Sequence, residues 1–291
     1  MVDALAADDP RVRLIRCEHG GIVAALNRGL AEARGALIAR MDADDESLPT
    51  RLAKQRAMLD AEPELGLVSC LVAHQGEPGR ETTGYALHVA WLNEQVTPEA
   101  IARHRFIESP LAHPSVMFRR SLVDRLGGYE AGPFPEDYEL WLRWLDAGVR
   151  MAKVPETLLV WHDPPGRLSR THSCYAVEAF YQLKARYLAR WLARHNPRHP
   201  EVVIRGAGKT AKQRAELLVA EGCRIVGYLD IDPKKRGRMA YGRPIHMPED
   251  VTGPDFGFVV SYVGSRGAGD IIRAQLTACG YVEGRDFLLA A

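Results

Sequence analysis

Apolar positions in the first half of the chain alternate between two kinds of spacing. Residues 12–15 are a short β-branched run behind Pro10 and predict a strand. Gly20 and Gly21 break the chain; Ile22, Leu26 and Leu30 then recur at helical spacing until Gly35, predicting a helix over 22–34. Residues 36–41 predict a second strand that runs directly into Asp42, Asp44 and Asp45. Pro49 suits a first helical turn and opens a helix over 50–61, and 66–73 reads as a buried strand. Strands alternating with helices predict an α/β fold with a mostly parallel sheet covered on both faces. From 75 to 115 the pattern weakens, and Gly76, Pro78, Gly79 and Gly84 predict a surface loop. Strand character returns over 113–119, and a short helix over 121–126 stops at Gly127 and Gly128. A helix over 135–147 carries Leu140, Trp144 and Leu145 on its apolar side, and strands follow over 149–154 and 158–161.

Residues 173–195 predict a basic amphipathic helix, with Arg186, Arg190 and Arg194 on one solvated stripe and Phe180, Tyr187, Leu188 and Trp191 packing elsewhere. Its basic face leaves peripheral contact with a membrane surface open. The prolines of the segment 195–200 end that helix. The α/β rhythm then restarts: strand 201–205, helix 209–221, strand 224–229 ending at Asp230, strand 256–261, helix 267–279 and a last strand 286–289. The expected organisation is a first domain over 1–172, a linking helix over 173–200 and a small Rossmann-like domain over 201–291.

Composition narrows the function classes. The 291 residues are 46% hydrophobic and 26% charged, ordinary for a soluble globular protein. A formal net charge of +1 offers no field for nucleic acid. No apolar run reaches the ~18–20 residues of a membrane span, and acidic residues stand where a signal peptide has basic ones. Five scattered cysteines without CxxC spacing point to reduced thiols, and the expected location is the cytoplasm, at most at the inner face of a membrane.

The sharpest chemical signal is Asp42, Asp44 and Asp45 at a strand's carboxyl end, where α/β sheets place ligands. Carboxylates this close repel one another and favour a cation, and hard oxygen donors suit Mg²⁺ or Mn²⁺. The competing reading is an N-cap cluster ahead of Pro49. The surroundings change the balance. Gly21–Leu30 with Asn27, Gly35, Arg40 before the acidic run, Arg51, the stretch His113–Phe118, Gly127–Tyr129, Glu136–Arg143 and Trp161–His162 with Ser169 stand in an order that resembles family 2 glycosyltransferases of the GT-A fold. The likeness extends over 10–170.

The resemblance implies a nucleotide-diphosphate sugar as donor and a glycan or lipid-linked hydroxyl as acceptor. It implies Asp42 beside the donor's ribose, Asp44 on the divalent metal, and Asp137, paired with Glu136, as the base that deprotonates the acceptor. One base and direct displacement imply inversion. Taken alone, Glu136 and Asp137 would simply complement a helix dipole. Trp141 and His113 are expected on the acceptor side, and His162 at the metal or diphosphate. Asn27 and Arg40 either order the donor site or make local hydrogen bonds. Family members open with a strand, a helix and a second strand carrying an aspartate for the base. No counterpart precedes residue 12 here, so weak nucleotide binding with little base discrimination is expected.

In the second half, Gly206, Gly208 and Ala211 follow a strand and open a helix, with Asp230 ending the next strand. This is a dinucleotide fingerprint in outline. The first reading is therefore an inverting glycosyltransferase of polysaccharide or glycoconjugate assembly. The others are a non-catalytic scaffold derived from one, and a dinucleotide-dependent oxidoreductase. The last is weakened by the absence of a Tyr-Lys or Cys constellation.

Overall fold

The structure is a computed structural model and describes residues 2–76, 83–164 and 166–291. Two helices, α1 (Val2–Asp8) and α2 (Gly21–Glu32), precede β1 (Leu37–Ala39), β2 (Glu46–Ser47), α3 (Arg51–Ala61) and β3 (Leu65–Gly76). Then come α4 (Thr83–Glu94), α5 (Pro98–His104), β4 (Met117–Arg119), α6 (Arg120–Leu126), α7 (Glu136–Asp146) and β5 (Arg150–Asp163). The sheet they build has the order β1-β4-β3-β5-β2. Alternate side chains leave its two faces. Leu67, Phe118 and Met151 meet α2, α6 and α7 on one side, while Val68, Met117 and Ala152 meet α3 and α4 on the other.

The α/β class holds, but this sheet is mixed rather than mostly parallel. Only β3 and β5 run parallel; β1–β4, β4–β3 and β5–β2 are antiparallel. The chain reverses at Ala112–Val116 and enters β4 against its neighbours' direction, which the apolar pattern of β4 cannot encode. Pro114 holds His113–Ser115 in a 3₁₀ turn, so strand structure starts only at Met117. The two strands expected over 149–161 are one. Its pairing passes from Cys70↔Val154 to Leu71↔Thr157, skipping Pro155, which has no N–H to give.

Residues 12–15 form no strand. Val12 and Leu14 are 37% and 41% exposed and have no ladder partner among the described residues, and without one an extended run gains nothing over solvated coil. The loop expected over 75–115 holds α4 and α5 instead. Tyr85, Val89 and Leu92 recur at helical spacing and pack on the sheet, and Gly84 sits in the first turn of α4, while Pro78 and Gly79 lie outside the described residues.

A short helix, α8 (Leu168–Thr171), leads to α9 (Val177–His195). Arg186, Arg190 and Arg194 of α9 are exposed, as the stripe predicts, and Arg194 pairs with Asp146. The buried side of α9, with Leu183, Leu188 and Leu192, shares one core with Tyr138 and Leu142 of α7. That core continues into a second sheet made of β6 (Glu201–Arg205), β7 (Arg224–Leu229), β8 (Met239–Ala240), β9 (Arg243–His246), β10 (Val259–Ser261) and β11 (Phe287–Leu289). Helices α10 (Lys209–Ala220) and α11 (Ala268–Ala278) cover it. Its order is β11-β10-β6-β7-β9-β8, parallel except for the β8–β9 pair, which the apolar pattern does not predict.

Candidate active site

The site begins where β1 runs out. Arg40 N–H donates to Val116 O (3.0 Å), extending the ladder one residue past Ala39, and the chain then turns through Asp42–Asp45 before entering β2. Buried Arg51 of α3 holds this turn from beneath. Its guanidinium donates to Arg40 O (3.2 Å), Pro114 O (2.6 Å) and Ser47 Oγ (2.8 Å), tying the acidic turn to the 3₁₀ turn beside it. Replacing Arg51 by Met would leave these acceptors without a donor. We expect a loss of about 3 kcal/mol, measured by urea unfolding; a change below about 0.5 kcal/mol would remove Arg51 from this role.

Carboxylate oxygens of Asp42, Asp44 and Asp45 all lie within 4.8 Å of one another. Arg40, 9% exposed, forms a forked ion pair with Asp42. Asp45 Oδ1 accepts the main-chain N–H of His162 (2.9 Å), whereas its buried Oδ2 has no partner. Burial, reinforced by the charges of Asp42 and Asp44, pushes the Asp45 carboxyl up to about 6. Three hard oxygen donors, one of them buried and unengaged, fit a divalent cation such as Mg²⁺ or Mn²⁺.

Across from this turn stands the first turn of α7. Glu136 is 4% exposed and accepts from Tyr175 Oη (2.6 Å). Asp137 is half-buried, and its Oδ1 accepts the N–H of Tyr138 (2.7 Å). Burial first, and the Glu136 charge second, raise the Asp137 carboxyl to about 7. Asp42, Asp44, Arg40, His113, Glu136 and Asp137 line one cleft of about 500 Å³. A second hollow of about 340 Å³ opens on the other side of Asp137, walled by Tyr85, Trp161 and Phe180. Arg167 borders both, its guanidinium 4.6 Å from the Trp161 ring centre.

Other expected residues take different places. His113 is buried, its Nε2 lies 2.7 Å from Tyr129 Oη, and burial with the nearby Arg40 charge pushes its pKa well down, so the imidazole is neutral. Trp141 is fully buried in the core beneath His113, ring centres 5.9 Å apart, and does not line either cleft. Four residues after Asp137, it lies a turn deeper in α7. Asn27 makes the local pairing: its side chain donates to Tyr129 O (2.8 Å) and accepts from Tyr129 N (3.0 Å). This clamp needs Gly128, because a Cβ there would sit 2.6 Å from Asn27 Oδ1. His162 donates its main-chain N–H to the acidic turn, and its imidazole does not join the three clustered carboxylates. Sequence reading gave no role to Tyr129, Tyr175 or Arg167, although Tyr129 stands in the Gly127–Tyr129 motif and Arg167 lies close to Trp161 and Ser169 in the chain.

In the second sheet, Gly206 and Gly208 do border a hollow. Asp230 lines the same hollow and is engaged by Ala207 N–H (2.8 Å), Asp232 N–H (2.9 Å) and Lys235 Nζ (2.8 Å), so it stiffens the glycine turn.

Residues 1–127 match the family model described as glycosyl transferase family 2. The amylovoran biosynthesis glycosyltransferase AmsE of Erwinia amylovora is 33% identical over 48% of this chain and 49% of its own length. The O-antigen biosynthesis glycosyltransferase WbnJ of Escherichia coli is 34% identical over 52% and 57%. The chain thus spans about half the length of the curated relatives it matches. Among solved structures, the mannosyltransferase PcManGT of Pyrobaculum calidifontis, in complex with GDP-Man and Mn²⁺, aligns with a TM-score of 0.41 at 23% identity, covering 66% of this chain and 49% of that one.

Proposed function

We propose that this chain is a family 2 glycosyltransferase and transfers a sugar from a nucleotide-diphosphate sugar to an acceptor hydroxyl, with inversion, in the assembly of a polysaccharide or glycoconjugate. The observation that carries the reading is the cleft in which the acidic turn faces Asp137. The kinship with amylovoran and O-antigen glycosyltransferases supports the pathway class.

In this reading Asp44, with Asp42 and Asp45, holds the divalent cation. When bound, that cation offsets charge building on the leaving diphosphate. Arg40, through its forked ion pair, holds the Asp42 carboxylate oriented toward the donor, and Arg167 offers its guanidinium to the diphosphate from the far wall. Asp137 takes the proton of the acceptor hydroxyl. A carboxyl near 7 is matched to that work at neutral pH. Tyr175 holds Glu136 aside, and the Glu136 charge keeps the Asp137 affinity for a proton high. The aromatic hollow on the other side of Asp137 suits the C–H faces of an acceptor sugar. Trp141 acts through His113 rather than on the acceptor.

No helix among the described residues is long and apolar enough to cross a membrane. An acceptor carried on a lipid would be met at the membrane surface, with exposed Arg186 and Arg190 of α9 available to anionic headgroups.

The test is release of nucleoside diphosphate from UDP- and GDP-sugars, with Mn²⁺ and with EDTA, in the presence of oligosaccharide and lipid-linked acceptors. Cation-dependent release stimulated by an acceptor is expected. Release indifferent to EDTA, or none with any pair, would overturn the reading.

A further inference from the structure

Outside that cleft, a hollow of about 630 Å³ opens at the carboxyl edge of the second sheet, within the ~300–1,000 Å³ of small-molecule sites. Two helices begin at it, α10 behind Gly208 and α11 behind Gly267, and neither has a side-chain cap on its first N–H groups. The Ala268 N–H that opens α11 donates to Ser265 O (3.0 Å); the uncapped first turn of α10 and the dipoles of both helices favour an anion.

Side chains add charge of the same sign. Arg205, Lys209, Arg214 and Lys235 line the hollow against a single carboxylate, Asp230, which Lys235 already pairs. Arg205 is only 6% exposed and forms no ion pair among the described residues; its hydrogen-bond partner is the neutral amide of Gln275 (2.8 Å). A buried guanidinium without an ion-pair partner is costly unless an anion arrives to meet it.

The backbone is shaped for close approach. Gly206 has φ +105°, and a Cβ on it would press on Val263 and Ala211 at 3.0 and 3.1 Å. A Cβ on Gly208 would meet no protein atom within 4 Å, so the glycine leaves open room beside the first turn of α10. Much of the remaining wall is apolar, and two of its members, Ile231 and Ile271, are 71% and 60% exposed, unusual for isoleucines unless something flat covers them.

We propose that this hollow is a second binding site, for a nucleoside phosphate, with the phosphate between the starts of α10 and α11 and the base against the wall of Ile231 and Ile271. It is built from elements separate from the acidic turn, and it requires no metal.

Calorimetry on the full chain in EDTA tests it, with AMP, UMP, adenosine and inorganic phosphate as probes. At least one nucleotide is expected to bind, with adenosine and phosphate each weaker by roughly tenfold or more. Lys209→Gln, an exposed change that does not threaten folding, and Arg205→Gln, checked by its melting temperature, should each weaken the nucleotide roughly 10–100-fold, the range for a charge-assisted hydrogen bond. Asp44→Asn should leave it unchanged. No binding by either nucleotide would overturn the proposal. So would phosphate binding as well as the nucleotides, binding indifferent to Lys209→Gln, or binding lost with Asp44→Asn.

Discussion

Asp137→Asn is expected to lower kcat by about 10²–10⁴, the range for losing a general base, while donor KM barely moves. The amide is nearly isosteric, and its oxygen can still accept the Tyr138 N–H that Asp137 Oδ1 accepts now (2.7 Å). What the variant lacks is a place for the acceptor's proton. The pH profile provides the second readout. Burial and the Glu136 charge hold the wild-type carboxyl near 7. The ionised form is the base, so kcat/KM should fall as pH drops through about 7 and level off above it. The residual activity of the Asn variant should lack that acidic limb. Glu136→Gln removes the like charge, so its limb should move to lower pH. A variant that keeps kcat but loses donor affinity would put Asp137 in the donor pocket instead.

Asp44→Ala is expected to cost the binding of Mn²⁺ and nucleoside diphosphate together. The affinity of UDP or GDP in the presence of Mn²⁺ should fall by at least about 10²-fold, equivalent to several kcal/mol of charge compensation, and transfer should fall with it. Asp44 is exposed and has no hydrogen-bond or ion-pair partner among the described residues, so the melting temperature without metal should stay put. Asp45→Asn differs, because its carboxylate also takes the His162 N–H; a weaker metal and a lower melting temperature are both expected. Titration calorimetry with and without Mn²⁺ separates these outcomes. Equal Mn²⁺-dependent affinity in wild type and Asp44→Ala would dissolve the metal assignment.

Several features of the site were readable in the chain because they are local. The acidic residues lie within four positions of one another at the end of an apolar run, and Glu136 and Asp137 sit in the first turn of a strongly patterned helix. The pairings that hold these groups in place were not readable. Asn27 and Tyr129 are 102 positions apart, Arg51 and Pro114 are 63 apart, and Glu136 and Tyr175 are 39 apart. Each is an ordinary residue until the fold delivers its partner. Trp141 was misread for a related reason: a large aromatic on the helix of the base fits an acceptor wall or a core equally well, and only the turn of α7 decides that it points inward.

By itself, the amino-acid sequence determined the α/β class, most of the helices, the acidic turn at a strand end and the glycine turn at the head of α10. These follow from periodicity, from caps and breakers, and from charge held within a few residues, which act before any tertiary contact forms. Tertiary structure alone decided strand direction in the first sheet, the fusion of two apolar runs into β5 across Pro155, the fate of residues 12–15, and the meeting of Asp44 with Asp137 in one cleft. It also engaged Asp230 inside its own turn and left Arg205 without an ion-pair partner. The reason is that a strand's hydrogen bonds and a buried charge's compensation come from groups distant in the chain. Their free energy depends on which neighbour arrives, and no local pattern records that.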